Sequence, residues 1–218
     1  MIVNAQLVSG HVEYAAGNID AARDRFGHSA EGFRALGIPW GVRNSLSAMA
    51  GIALATGDTA EAERLLDDVA AVLQQSGPGL RSLAFFMRAV IALRRARPDG
   101  AIAVGRESLT YIRELQDTLA FVNTLVPLAA AASLRGVGAG AARISGIRDA
   151  VTERTGAAVV DKTARDLRDE VERGVRARLG PERRERAYAA GRGTSIDALV
   201  KDIDRTMARL MPGLGSAR

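Results

Sequence analysis

Four ten-residue segments of this 218-residue chain can be laid over one another: GNIDAARDRF (17–26), GDTAEAERLL (57–66), ARPDGAIAVG (96–105) and GVGAGAARIS (136–145). The sixth residue of each is alanine, at Ala22, Ala62, Ala101 and Ala141, with spacings of 40, 39 and 40 residues. A fixed period of this length leaves few architectures open, because each copy is one supersecondary unit that buries its apolar face only by stacking on its neighbours. Upstream of each segment runs an apolar stretch rich in small residues: LVSGHVEYAA (7–16), LSAMAGIALA (46–55), FFMRAVIALR (85–94) and LVPLAAAASL (125–134). Downstream, apolar residues recur at helical steps, as in Ala62, Leu65, Leu66, Val69, Val72 and Leu73, with Glu61, Glu63, Arg64, Asp67 and Asp68 on the opposite face. Each unit therefore reads as a first helix buried on most sides and an amphipathic second helix. The repeated alanine falls where their backbones cross at about 8–10 Å.

The fourth copy, within LRGVGAGAARI (134–144), places Gly136, Gly138 and Gly140 in five residues, a density that also suits a phosphate-cradling loop. A dinucleotide fingerprint needs a third glycine where Ala141 stands, and a preceding strand where this chain has alanine-rich helix. A P-loop needs a Gly-Lys pair, and the chain has none. The glycines read as a turn between helices. Gly17, Gly57 and Gly136 suit the left-handed position that ends a helix, Asp58 is placed to cap the helix after it, and Pro98 stops the preceding helix in the third copy.

Composition narrows the function classes. Apolar residues make up 47% of the chain, enough for a core, and the absence of cysteine removes disulfides, thiol nucleophiles and thiolate metal sites and fits a reducing, cytoplasmic setting. The opening MIVNAQLVSG lacks the basic and apolar regions of a signal peptide, and the most apolar run, Leu119 to Leu134, is interrupted by Asn123, Thr124 and Pro127, so no membrane span is expected. Net charge is +5, almost all of it from arginine, since Lys162 and Lys201 are the only lysines. In RDLRDEVERGVRARLGPERRER (165–186) those arginines alternate with acids on helical spacing, as on a solvated ion-paired surface.

The expected architecture is all-α: a right-handed α-α superhelix of about four helix pairs, at 2–35, 42–76, 80–116 and 118–155, making a repeat domain over 1–156, with capping helices over 157–218. GIPWG (37–41) and SGPG (76–79) are the expected joints, Pro127 is expected to kink its helix, and the tail reads as helices at 161–179, 181–190 and 195–210. No polar helix precedes residues 1–7, so the outer face of the first pair is expected to be apolar and uncovered. That face would suit a homodimer or an upstream repeat.

The helix-turn-helix pattern, with alanine followed four residues later by a large apolar residue (Ala22 with Phe26, Ala62 with Leu66), resembles the tetratricopeptide repeat in its variant of about 40 residues. GDTAEAERLLDD (57–68), GRESLTYIRELQD (105–117), AARISGIRDAVTERTG (141–156), RARLG (176–180) and AYAAGRGTSIDALV (187–200) are similar, in this order, to the C-terminal region of bacterial LuxR/MalT-type signal-transduction ATPases and cyclase-linked regulators. The resemblance implies a sensor arm that binds a partner or effector and biases a switch elsewhere. The Walker motifs of such a switch are not in this sequence, so the activities of those domains do not transfer.

In tetratricopeptide stacks the first helices line a concave groove. The repeat register places Asn4, Asn44 and Asn123 at equivalent positions on that face, with His11, Tyr14 and Arg94 turned toward it. Asparagine offers a donor and an acceptor, so such a ladder would hold an extended peptide, or equally bond neighbouring helices. The expected partner is a protein or peptide, or a small effector. His11 and His28, the only histidines, have no metal-binding spacing, and no cofactor or catalytic residue is expected. The reading is of a non-catalytic interaction or effector-sensing module in signal transduction or transcription regulation. The alternative is nucleic-acid binding through the arginines of the tail.

Overall fold

A computed structural model describes residues 2–74, 82–115, 117–157, 162–194 and 208. Ten helices and no strand occur among the described residues: α1 (Ile2–Ala15), α2 (Ile19–Ala35), α3 (Pro39–Ala55), α4 (Thr59–Gln74), α5 (Ser82–Arg94), α6 (Pro98–Leu115), α7 (Thr118–Leu134), α8 (Gly138–Thr155), α9 (Lys162–Arg178) and α10 (Pro181–Arg192). None of these helices is long and apolar enough to cross a membrane. SGPG (76–79) lies outside the described residues. So does the helix expected at 195–210, except for Ala208, which is helical.

One turn recurs at the helix ends. Gly17, Gly57 and Gly136 take φ of 85°, 86° and 79°, and Ala96, at the equivalent place in the third copy, takes φ of 54°. At each, the left-handed residue donates its N–H to the carbonyl three residues back and the next residue donates to the carbonyl five back. Gly57 thus bonds Leu54 at 3.2 Å while Asp58 bonds Ala53 at 2.8 Å, and Ala96 bonds Leu93 at 2.9 Å while Arg97 bonds Ala92 at 2.8 Å. This paired closure satisfies two carbonyls that a helix end leaves free. Gly37, with φ of 64°, makes the same pair of bonds between α2 and α3, so the motif joins units as well as closing them. Asp58 caps α4 as expected, its Oδ1 accepting from the Glu61 N–H at 3.0 Å. Asp117 does the same for α7 through the Ala120 N–H at 2.9 Å.

The second unit's expected start at 42 is corrected. Pro39 does not merely stop the preceding helix; it is the first residue of α3, where its fixed φ suits the helix and its missing N–H costs nothing. Pro98 and Pro181 likewise open α6 and α10. Pro127 lies inside α7, whose helical assignment continues across it.

The chain divides into two compact units, Met1–Ile91 and Ala92–Arg218. In the first, α1 packs on α2, α2 on α3 and α3 on α4, around Phe26, Ile52, Leu65 and Leu66. In the second, α7 lies among α6, α8 and α9, and α10 packs along α8. Nearly every residue of α7 from Ala120 to Ser133 is buried, as in a helix surrounded on all sides. The four register alanines, Ala22, Ala62, Ala101 and Ala141, are each 0% exposed, which is what a close helix crossing requires. The first copy departs from a first helix buried on most sides and has the uncovered apolar face expected of the outermost helix: α1 buries only Leu7 and Gly10, and leaves Ile2, Val8 and Val12 at 79%, 61% and 62% exposure.

Left-handed φ costs an L-residue about 1–2 kcal/mol, offset in part by the greater freedom of glycine in the unfolded chain. Ala96→Gly is therefore expected to stabilise the protein by about 0.5–1 kcal/mol. Gly57→Ala, whose Cβ would meet open space, should destabilise it by about 1 kcal/mol. Urea unfolding midpoints that moved in the same direction for both variants would contradict this assignment of the turns.

Candidate functional site

The residue seven places after each register alanine is buried in all four copies: Ser29, Val69, Ser108 and Arg148, at 0%, 1%, 1% and 8% exposure. Where it is serine, it bonds the next helix. Ser45 donates to the Ser29 hydroxyl at 3.0 Å between α3 and α2, and Ser108 and Thr124 share a hydrogen bond of 2.7 Å between α6 and α7. In the fourth copy a guanidinium occupies this place, and a buried charge is tolerated only with a partner. Asp149 supplies it: Nε and Nη2 of Arg148 donate to its Oδ1 at 2.9 and 2.6 Å. The other carboxylate oxygen accepts from the Tyr188 hydroxyl of α10 at 3.0 Å. Burial lowers the Arg148 pKa and the Asp149 charge opposes that shift, so the pair holds the cation in place.

Glycines set the position of α10. A Cβ on Gly146 of α8 would overlap the Tyr188 carbonyl, and a Cβ on Gly191 of α10 would overlap the Arg143 carbonyl. The two helices thus meet at backbone distance, in both directions. A second tie follows on the outside, where Arg192 donates to both oxygens of Glu153 at 2.8 and 2.5 Å and holds that carboxyl below its ordinary pKa. Burial, with the Asp149 charge adding to it and Arg192 opposing, raises the Tyr188 phenol above its usual value.

Between α8, α9 and α10 this arrangement leaves a cleft of about 280 Å³, lined by Arg148 and Asp149 of α8, Arg168, Asp169 and Glu172 of α9, and Arg184, Glu185 and Tyr188 of α10. Glu172 is paired with Arg176 of its own helix. A second, more apolar cleft of about 210 Å³ lies on the α7 side of α9 among Leu93, Ala130, Leu134, Leu167 and Val171, and is edged by an ion pair of 3.4 Å between Arg94 and Glu170. Among the described residues no three His, Cys, Asp or Glu side chains converge to hold a metal ion.

The residues read from the sequence as groove-lining fall in both units. In the first, Asn4 and His11 of α1 are exposed, Tyr14 of α1 and Asn44 of α3 are half-buried, and the His11 ring stands edge-on to Phe26 with centroids 4.9 Å apart. In the second, Arg94 ends α5 at the mouth of the apolar cleft, and Asn123 of α7 is half-buried with its Oδ1 enclosed and no hydrogen-bond partner among the described residues. The α8–α10 cleft was not anticipated from the sequence. Its signal was nonetheless there, in a charged residue at a register position otherwise held by Ser29, Val69 and Ser108. No protein-family model, curated protein or solved structure matches the chain.

Gly146→Ala is expected to destabilise the protein by about 1–3 kcal/mol, because a Cβ meeting main chain has no side chain to push aside. Gly27→Ala, on an α2 position with nothing within 4 Å of the added Cβ, should instead gain up to about 1 kcal/mol of helix propensity. Equal effects from the two would refute the close crossing. The wild-type minus Tyr188→Phe difference in phenolate absorbance should titrate above the ordinary value of about 10. Because the folded pKa is raised, the stability Tyr188 confers is complete below that pH and is lost as pH rises through the folded value. A difference signal titrating at or below the ordinary value would contradict the burial of Tyr188 beside Asp149.

Proposed function

We propose that the chain is a non-catalytic helical-repeat binding module, of the tetratricopeptide kind, whose first helices hold a protein or peptide partner or a small effector. On this reading the hairpins form a right-handed stack, closed by the tail helices, and the module is a cytoplasmic sensor arm in bacterial signalling or transcription regulation, as the sequence resemblance implies. The supporting observation lies on α7. The enclosed Asn123 amide oxygen has no protein partner among the described residues, and an unmet buried acceptor costs on the order of 1–3 kcal/mol. A backbone N–H of an extended peptide would satisfy it once binding opened that enclosure, and Asn4 and Asn44 occupy the same register on α1 and α3. Pairing of Arg176 with Glu172 and of Arg192 with Glu153 withdraws two of the tail guanidiniums from the rival reading of a nucleic-acid surface.

The test is selection of a displayed peptide library on the immobilised chain, followed by calorimetry with the synthesised peptide. The proposal expects a peptide whose affinity falls about fivefold or more with Asn123→Ala or Asn44→Ala and changes little with salt. Failure to enrich any peptide, or binding indifferent to both substitutions, would reject it. Steep salt dependence with a DNA or RNA probe would favour the arginine tail instead.

A further inference from the structure

The α8–α10 cleft carries both signs of charge in a form that the fold leaves unused. Arg168 and Asp169 on α9, and Arg184 and Glu185 on α10, line the same space of about 280 Å³. Some neighbouring opposite charges elsewhere in the chain close on one another, as Arg64 does with Glu61 at 2.7 Å and with Asp68 at 3.2 Å. None of these four lining side chains makes an ion pair or hydrogen bond to another described residue. Beneath them Arg148, with its guanidinium fixed on Asp149, takes the register position that the other copies give to serine or valine.

Ligand chemistry can be sorted against this lining. A metal ion finds no convergent set of three ligands among the described residues. A simple anion would meet Asp169, Glu172 and Glu185, and a simple cation would meet Arg148, Arg168 and Arg184. A molecule carrying a carboxylate and an ammonium group satisfies both sets, as guanidiniums bind carboxylates and carboxylates bind ammonium groups through charge-assisted hydrogen bonds. The volume lies just below the range of about 300–1,000 Å³ typical of drug-sized ligands, which points to a small molecule.

We propose that this cleft binds a free amino acid or a zwitterion of similar size, its carboxylate held by Arg148 and Arg184 and its ammonium by Asp169 and Glu185. The site uses none of the asparagines of the first helices and is independent of the groove reading. The experiment is calorimetry and thermal-shift measurement on the full chain with each of the common L-amino acids, then with the N-acetyl and C-terminal amide forms of the best one. At least one amino acid should bind with one-to-one stoichiometry and raise the melting temperature, and blocking either end should weaken it about tenfold or more. Arg184→Ala should erase the preference for the free carboxylate. Asp169→Asn together with Glu185→Gln, both at exposed positions, should erase the preference for the free ammonium, and Asn123→Ala should leave binding unchanged. No binding by any amino acid at about 10 mM, blocked forms that bind as well as free ones, or variants that keep both preferences would overturn the proposal.

Discussion

Two main-chain hydrogen bonds, closed by one residue in the left-handed conformation, recur at Gly17, Gly37, Gly57, Ala96 and Gly136. They stop one helix and start the next within three residues, and so decide which helical faces meet. Because the closure is made of backbone groups, it survives the replacement of glycine by alanine at position 96 and tolerates either Asp58 or Pro98 just beyond it. The fully buried alanines at 22, 62, 101 and 141 are the counterpart on the packing side, each small enough for two helices to approach at its level. Side chains elsewhere in the hairpins are then free to vary, and the differences between copies carry what is specific to this chain.

The most consequential difference is in α8. It has no wide apolar stripe; Gly138, Gly140 and Gly146 leave it narrow, and α10 settles onto it at backbone contact. A helix held that close brings Tyr188 onto Asp149, and Asp149 in turn makes a buried Arg148 tolerable. The close approach of α10 to this narrow helix and the polar cleft beside it are thus two aspects of one arrangement. A structural polar link would have needed no more than the hydroxyl pairs that join α2 to α3 and α6 to α7.

Much of the fold was legible because glycine, proline and the alanine register report backbone constraints that act locally. The limits 118–155 of the fourth pair follow from Asp117, the Gly136 turn and Gly156. Pro39 was misread because proline is equally compatible with following a helix and with opening one, and only the bonds made by Gly37 and Ile38 distinguish the two. The candidate sites were less legible. Tyr188 and Asp149 lie 39 residues apart, and within the sequence the charges of 165–186 look like any ion-paired helix surface. Arg176 closes on Glu172 one turn away on its own helix, whereas the meeting of Arg168, Asp169, Arg184 and Glu185 around one cleft depends on how α9 and α10 are placed. The unmet oxygen of Asn123 is of the same kind, since asparagine in a helix gives no sign of whether its amide finds a partner.

The central claim is that helical hairpins repeat on a forty-residue period, each closed by a left-handed residue. Backbone NMR assignment with scalar and residual dipolar couplings addresses it directly. The account predicts helical shifts on both sides of Gly17, Gly57, Ala96 and Gly136, with positive φ at each of the four. Uninterrupted helix through Ala96, or extended backbone leading into Gly136, would contradict it.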